Sequence, residues 1–233
     1  MHVDISIFEA FLYVLGLFGF LTSRSIYGTR NTALFFLGVF VLAGINEHVN
    51  CLVGHYNYFW HLSRDLHYFS KYAHSLGGNW LWIGVLPGYF FPAWFFACMC
   101  AYTITGVVLP KASTNVKAVA TAIQVIVIGL VAENLGQINQ WWEYTAQGKS
   151  LTFWDGVWGG VFVYYFCWIT SLVLVFERTI TQKGDFAFLR TIEGRLFRQS
   201  TFGIYCFRLI VFSALSALVT QLFDRIVLHP LAT

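Results

Sequence analysis

Charge is what this sequence has least of. Only 11% of its 233 residues are Asp, Glu, Lys or Arg, where soluble domains carry about 25%. With 58% hydrophobic residues and a mean hydropathy of +0.64, an ordinary water-soluble surface is excluded. The length suits a single integral membrane domain over residues 1–233, with nothing left for a second, soluble one. A net charge of +3, dispersed along the chain, is too small to argue for nucleic acid as a partner. Cysteine is also unhelpful as a scaffold. The five thiols, Cys51, Cys98, Cys100, Cys167 and Cys206, are odd in number and lack paired spacing, which argues against a disulfide framework or a zinc site. No basic region precedes the first apolar run and no small-residue cleavage site follows it, so that run reads as a retained helix rather than a signal peptide. Signs of nucleotide-driven chemistry are missing too, with no phosphate-binding glycine loop and no aspartate-rich motif for magnesium diphosphate.

What the chain has is long apolar runs. A spanning helix needs about 20 mostly apolar residues, and six candidates satisfy this: Ile5–Ser23, Thr32–Leu52, Trp80–Val108, Val116–Trp142, Phe153–Phe176 and Phe202–Leu228. The expected fold is an all-α, multi-pass membrane helix bundle of six transmembrane helices. A seventh, re-entrant element has room in the aromatic and polar stretch "HYNYFWHLSRDLHYFSKYAHSLGGN". Pro87 and Pro92 predict a kink or break in the third span. Nine Lys and Arg fall on one side (Arg24, Arg30, Lys111, Lys117, Arg178, Lys183, Arg190, Arg195 and Arg198) against four on the other (Arg64, Lys71, Lys149 and Arg225). The positive-inside rule then puts both termini outside the cytoplasm.

The second run ends oddly, in "AGINEHVNCLVGHYNYFWH". Ionisable residues inside a membrane span are expensive and usually face a protein interior or a water-filled cavity. Glu47 sits near the outer end of span two and Glu133 in the outer half of span four, and Glu9 and Asp224 fall at similar depth. In "VAENLGQINQWWEY", Glu133, Gln137 and Gln140 recur at i, i+4 and i+7, one face of a helix. That strip could hold a proton and orient a water, or it could glue helices by hydrogen bonds. Gly129 and Gly136 would permit close approach. Around Glu47, Asn46 and Asn50 share an i, i+4 face. A carboxyl held neutral in a low dielectric is a proton donor, so Glu47 and Glu133 are the candidate acids, with structural pairing as the alternative.

Five of the seven histidines, His48, His55, His61, His67 and His74, fall within 27 residues. Their spacings of six and seven do not match metal-binding helix pairs. No metal or cofactor is therefore expected; interfacial hydrogen bonding accounts for them, and haem or metal ligation is a second reading. Aromatics make up 19% of the chain. Trp141, Trp142, Trp154, Trp158, Trp168, Tyr164, Tyr165 and "GYFFPAWFF" would line an apolar wall suited to a polyene or isoprenoid, where ring faces stabilise a carbocation.

Two stretches carry a family resemblance. "NEHVNCLVGHYNYF" followed by "WIGVLPGYFFPAWFF" resembles the first signature of the carotenoid-biosynthesis membrane hydratases, the bisanhydrobacterioruberin hydratase family. "VAENLGQINQWWEYTAQGKSLTFWDGVWGGVFVYYFCW" is similar to the second. The resemblance spans about 110 residues and implies roles for Glu47, Tyr56, Tyr58, Glu133, Trp142 and Trp168. It implies hydration of a terminal isoprenoid double bond, with Gln137 or Gln140 orienting water; proton-initiated cyclisation of the same substrate class is the second reaction expected. The expected site therefore has Glu47, Glu133, Gln137 and Gln140 as catalytic groups, with Asn46, Asn50, Tyr56, Tyr58, Trp142, Trp158 and Trp168 on the substrate. A lipid or isoprenoid is the expected partner. A non-catalytic subunit holding pigment, haem or lipid, assembled with itself or in a membrane complex, is the alternative.

Overall fold

The computed structural model describes residues 5–53, 56–57, 82–83, 86–139, 143–144, 152–153, 157–197 and 200–231. Seven helices organise them: α1 (Ile5–Tyr27), α2 (Thr29–Val53), α3 (Phe90–Val108), α4 (Thr114–Asn139), α5 (Val161–Thr179), the short α6 (Arg190–Phe197) and α7 (Thr201–Phe223). A five-residue π turn, Asp224–Leu228, and the turn His229–Leu231 prolong α7. All but α6 are long and apolar enough to cross a membrane. The chain is an all-α bundle of the integral, multi-pass kind. Six crossings place both ends of the described chain at one end of the bundle, called here the terminal end; α6 lies at the opposite, basic end.

Local chemistry sets the helix limits. Gly28, at φ +80°, is the single residue between α1 and α2. Its backbone conformation is one that side-chain-bearing residues rarely adopt, and a Cβ there would meet nothing within 4 Å. The need is thus conformational alone. Ser113 Oγ accepts from Val116 N–H at 3.4 Å and Ser200 Oγ from Gly203 N–H at 3.2 Å, capping α4 and α7 at their first turns. The third span starts at Phe90 rather than at Trp80 and carries no break at Pro92. Pro92 is the third residue of α3, in the first turn, where its missing N–H is not needed. The fifth span starts at Val161, after a Gly159–Gly160 turn, rather than at Phe153; two glycines make poor helix.

Three two-residue antiparallel pairs accompany the helices at the terminal end. β1 (Tyr56–Asn57) pairs with β4 (Glu143–Tyr144), so the chain leaving α2 meets the chain leaving α4. β2 (Trp82–Ile83) pairs with β3 (Leu86–Pro87), and β5 (Thr152–Phe153) with β6 (Val157–Trp158).

Helices α2 and α5 form the centre. Each touches the other and α7; α2 also packs on α1 and α3, and α5 on α4. Phe35, Leu42, Phe95, Trp168, Leu172, Phe176 and Tyr205 lie in one buried cluster between them. On α1 the outward stripe Ile7, Phe11, Val14, Phe18 and Leu21 is exposed. Gly16 and Gly19 face α3, where added Cβ atoms would lie 2.2 Å from Pro92 and 2.9 Å from Phe96. Small residues on one side and bare apolar side chains on the other are what a lipid-solvated helix presents.

Candidate functional site

Two consecutive tyrosines build the site. Tyr164 and Tyr165 begin the second turn of α5, and both are buried. Successive helical residues point about 100° apart, so the pair reaches two different neighbours. The Tyr164 hydroxyl donates to Glu47 Oε2 on α2 at 2.5 Å. The Tyr165 hydroxyl donates to Glu133 Oε1 on α4. Their rings lie 5.0 Å apart, so carboxyl groups from two helices are bonded by consecutive residues of a third. Glu47 is 2% exposed and Glu133 8%.

Gly129, one turn before Glu133, makes the contact sterically possible. A Cβ there would lie 2.6 Å from Tyr165 Cε2 and 3.2 Å from the Trp94 ring. Trp94 lies tilted against Tyr165 at 4.8 Å and meets Trp168 edge-on at 5.7 Å. Tyr89, immediately before α3, is buried against Phe8. Its hydroxyl lies within electrostatic reach of Glu9, Tyr13, Glu47 and Glu133. Carboxyl groups from α1, α2 and α4 thus gather about a set of phenols and indoles in the terminal half of the bundle.

The other expected residues divide. Asn46 and Asn50 turn toward α7: Asn46 Nδ2 donates to Leu42 O at 2.8 Å and to Ser213 O at 3.4 Å, and Asn50 Oδ1 accepts from Gln221 Nε2 at 2.9 Å. Trp168 is fully buried, and its Nε1 has no hydrogen-bond partner among the described residues. Asp224 is buried in the π turn. His48 Nδ1 lies 2.8 Å from Gly44 O of its own helix. Gln137 sits in the last turn of α4, and Tyr56 and Trp158 in β1 and β6; their side chains lie outside the described set. So do the residues Tyr58, Gln140, Trp142, His55, His61, His67 and His74 and the stretch proposed for a re-entrant element. Among the described residues, no group of three or more His, Cys, Asp or Glu is placed to hold a metal ion.

Sequence reasoning missed the bonding role of Tyr164 and Tyr165, which it placed only on the aromatic wall. The available signal was the pair itself, two hydroxyl-bearing rings inside an otherwise apolar span.

A second polar cluster, at the basic end, differs in kind. Arg208, buried on α7, donates from Nε and Nη2 to the two oxygens of Glu193 on α6, both at 2.7 Å. It also donates to Asp185 Oδ1 at 2.8 Å and Thr179 Oγ1 at 3.0 Å. Its guanidinium lies 4.9 Å over the Phe186 ring. Glu177 accepts from the Tyr102 hydroxyl and from Thr181 Oγ1 at 3.0 Å, and pairs with Lys183 at 3.3 Å. Hydrogen bonds from Arg190, with lesser help from the Phe186 N–H and Arg208, hold the Asp185 carboxyl below its ordinary range against some desolvation.

No family model, curated protein or solved structure matches the chain.

Proposed function

We propose that the protein is an integral membrane enzyme that protonates a carbon–carbon double bond of a carotenoid or other isoprenoid and hydrates the resulting cation. One observation carries this reading: two buried carboxyl groups from separate helices, each bonded to one of two neighbouring tyrosines, beside Trp94 and Trp168. A neutral carboxyl of the pair gives its proton to the less substituted carbon of the double bond. The π electrons form the new C–H bond and leave a tertiary cation, which ring faces stabilise. Water adds to the cation, and the oxonium returns its proton to the carboxylate, so the sum is one water added. Phenol donors would hold the carboxylate formed in between, as preorganised donors do for developing charge.

The acid-bearing end is read as non-cytoplasmic. Support comes from Arg24, Arg30, Lys111, Lys117, Arg178, Lys183, Arg190 and Arg195, all at the other end of the helices.

The test is turnover of an acyclic carotenoid by protein reconstituted in lipid. Glu47→Gln and Glu133→Gln should each lower the rate by about 10²–10⁴-fold, the usual contribution of a general acid or base. Product formation intact in both variants overturns the proposal. A three-peaked polyene spectrum in the purified protein, with no turnover, would instead identify a pigment-holding subunit.

A further inference from the structure

Between α2 and α7 runs a strip of polar side chains that the chemistry above does not use. The two helices lie side by side and run in the same direction: Asn46 Nδ2 reaches Ser213 O, and Gln221 Nε2 reaches Asn50 Oδ1. Ser213, Ser216 and Thr220 of α7 and Asp224, the first residue of the π turn, recur at i, i+3, i+7 and i+11, one face of the helix. All four are buried, as are Asn46 and Asn50.

Hydrogen bonds inside the strip leave a definite remainder. Asn46 Oδ1, Asn50 Nδ2, Ser213 Oγ and Ser216 Oγ have no partner among the described residues. Serine in a spanning helix commonly bonds back to its own helix's carbonyl, as Thr220 does to Ser216 O at 2.9 Å. Neither Ser213 nor Ser216 does so. The remainder is mixed: an acceptor, a donor and two hydroxyls that are both. Water is the small ligand that matches such a set, and buried water typically makes about three bonds to groups of this kind.

The strip also has direction. Eleven residues from Ser213 to Asp224 rise about 16 Å at 1.5 Å each, roughly half the ~30 Å hydrocarbon thickness. One end lies at the π turn Asp224–Leu228 near the terminal end of the bundle, a local distortion frequent at functional sites. The other reaches Asn46, the residue next to Glu47.

We propose that a file of water runs between α2 and α7, from the π turn to Asn46, and supplies the Glu47 region with water and exchangeable protons. Its use as a hydration supply rests on the function proposed above; its existence does not. The test employs the full chain in lipid, with 2-aminoethyl methanethiosulfonate, a small water-soluble cation that adds a fixed mass to thiols reached by water. The native cysteines set the baseline adduct number by intact mass. Ser216→Cys should gain one adduct over that baseline, and Leu218→Cys, on the lipid-facing side of α7 at 54% exposure, should gain none. Where Ser216→Cys does not fold, Thr220→Cys, one turn nearer the π turn, takes its place with the same expectation. Folded protein that stays at baseline at these positions overturns the water file. An adduct gained without isoprenoid turnover defeats the hydration reading alone, and turnover without an adduct defeats the file alone.

Discussion

The two ends of the bundle bury acids in opposite ways. At the basic end Glu193 meets a guanidinium through two parallel bonds, and Glu177 has a lysine, a threonine and a tyrosine. At the terminal end Glu47 and Glu133 each accept from a phenol hydroxyl. A guanidinium fixes its partner as an anion and leaves it nothing to exchange. A phenol can donate to a carboxylate or accept from a carboxylic acid, so it tolerates either protonation state. The first arrangement holds parts together; the second is the kind that the proposed proton transfer requires. Buried charge alone is therefore a poor guide to function, and the nature of the partner is the better one.

Several substitutions would sharpen or break that contrast. Arg208→Met has the largest expected effect. It leaves buried Glu193 facing apolar surroundings, and removing one partner of such a pair costs about 3–5 kcal/mol, read as a loss of denaturation midpoint in detergent. Arg208→Met combined with Glu193→Leu should recover most of it. If the single variant is as stable as the parent, the basic end is not a structural lock. Tyr164→Phe and Tyr165→Phe should each cost about 1–3 kcal/mol, the penalty for leaving a buried acceptor short of its donor, while lowering turnover. Unchanged turnover in both would remove the phenols from the mechanism.

The smallest effect concerns pH. The Asp185 carboxyl is depressed from an ordinary 3.8, chiefly by Arg190. A carboxyl with a lowered folded-state value contributes stability above its unfolded value and loses it as pH falls through the folded one. Asp185 is 36% exposed, so the loss below pH 3.8 should stay near the about 0.2–1 kcal/mol of exposed pairs. Unfolding curves of the parent and Asp185→Asn should converge in that acid range and separate above it.

The six spans were legible because lipid demands runs of apolar residues whatever their neighbours, and hydropathy reads that demand directly. Glu47 and Glu133 were legible for the same reason inverted, as acids where acids are costly. Limits of elements were less so. Phe153 and Trp80 are apolar enough to continue a span, but Gly159–Gly160 and Pro87 decide where helix starts. Side-by-side order was not legible at all. Nothing in the spacing of Asn46 and Asn50 says that they face α7, while Glu47 between them turns to α5. Arg208 could have been found: a lone arginine well inside the run "TFGIYCFRLIVFSAL" needs a buried acid nearby, and Glu193, 15 residues earlier, provides it.

The one-residue connection at Gly28 bears on how the protein is made. With Arg24 before it and Arg30 after it, the first two helices have no slack to enter the bilayer separately. A two-helix hairpin is the smallest unit in which either of them can be placed. Glu47, at the far end of the second arm, precedes by 117 residues the tyrosine that supplies its phenol. The hairpin therefore cannot satisfy that acid by itself, and its bond to Tyr164 belongs to the assembled bundle.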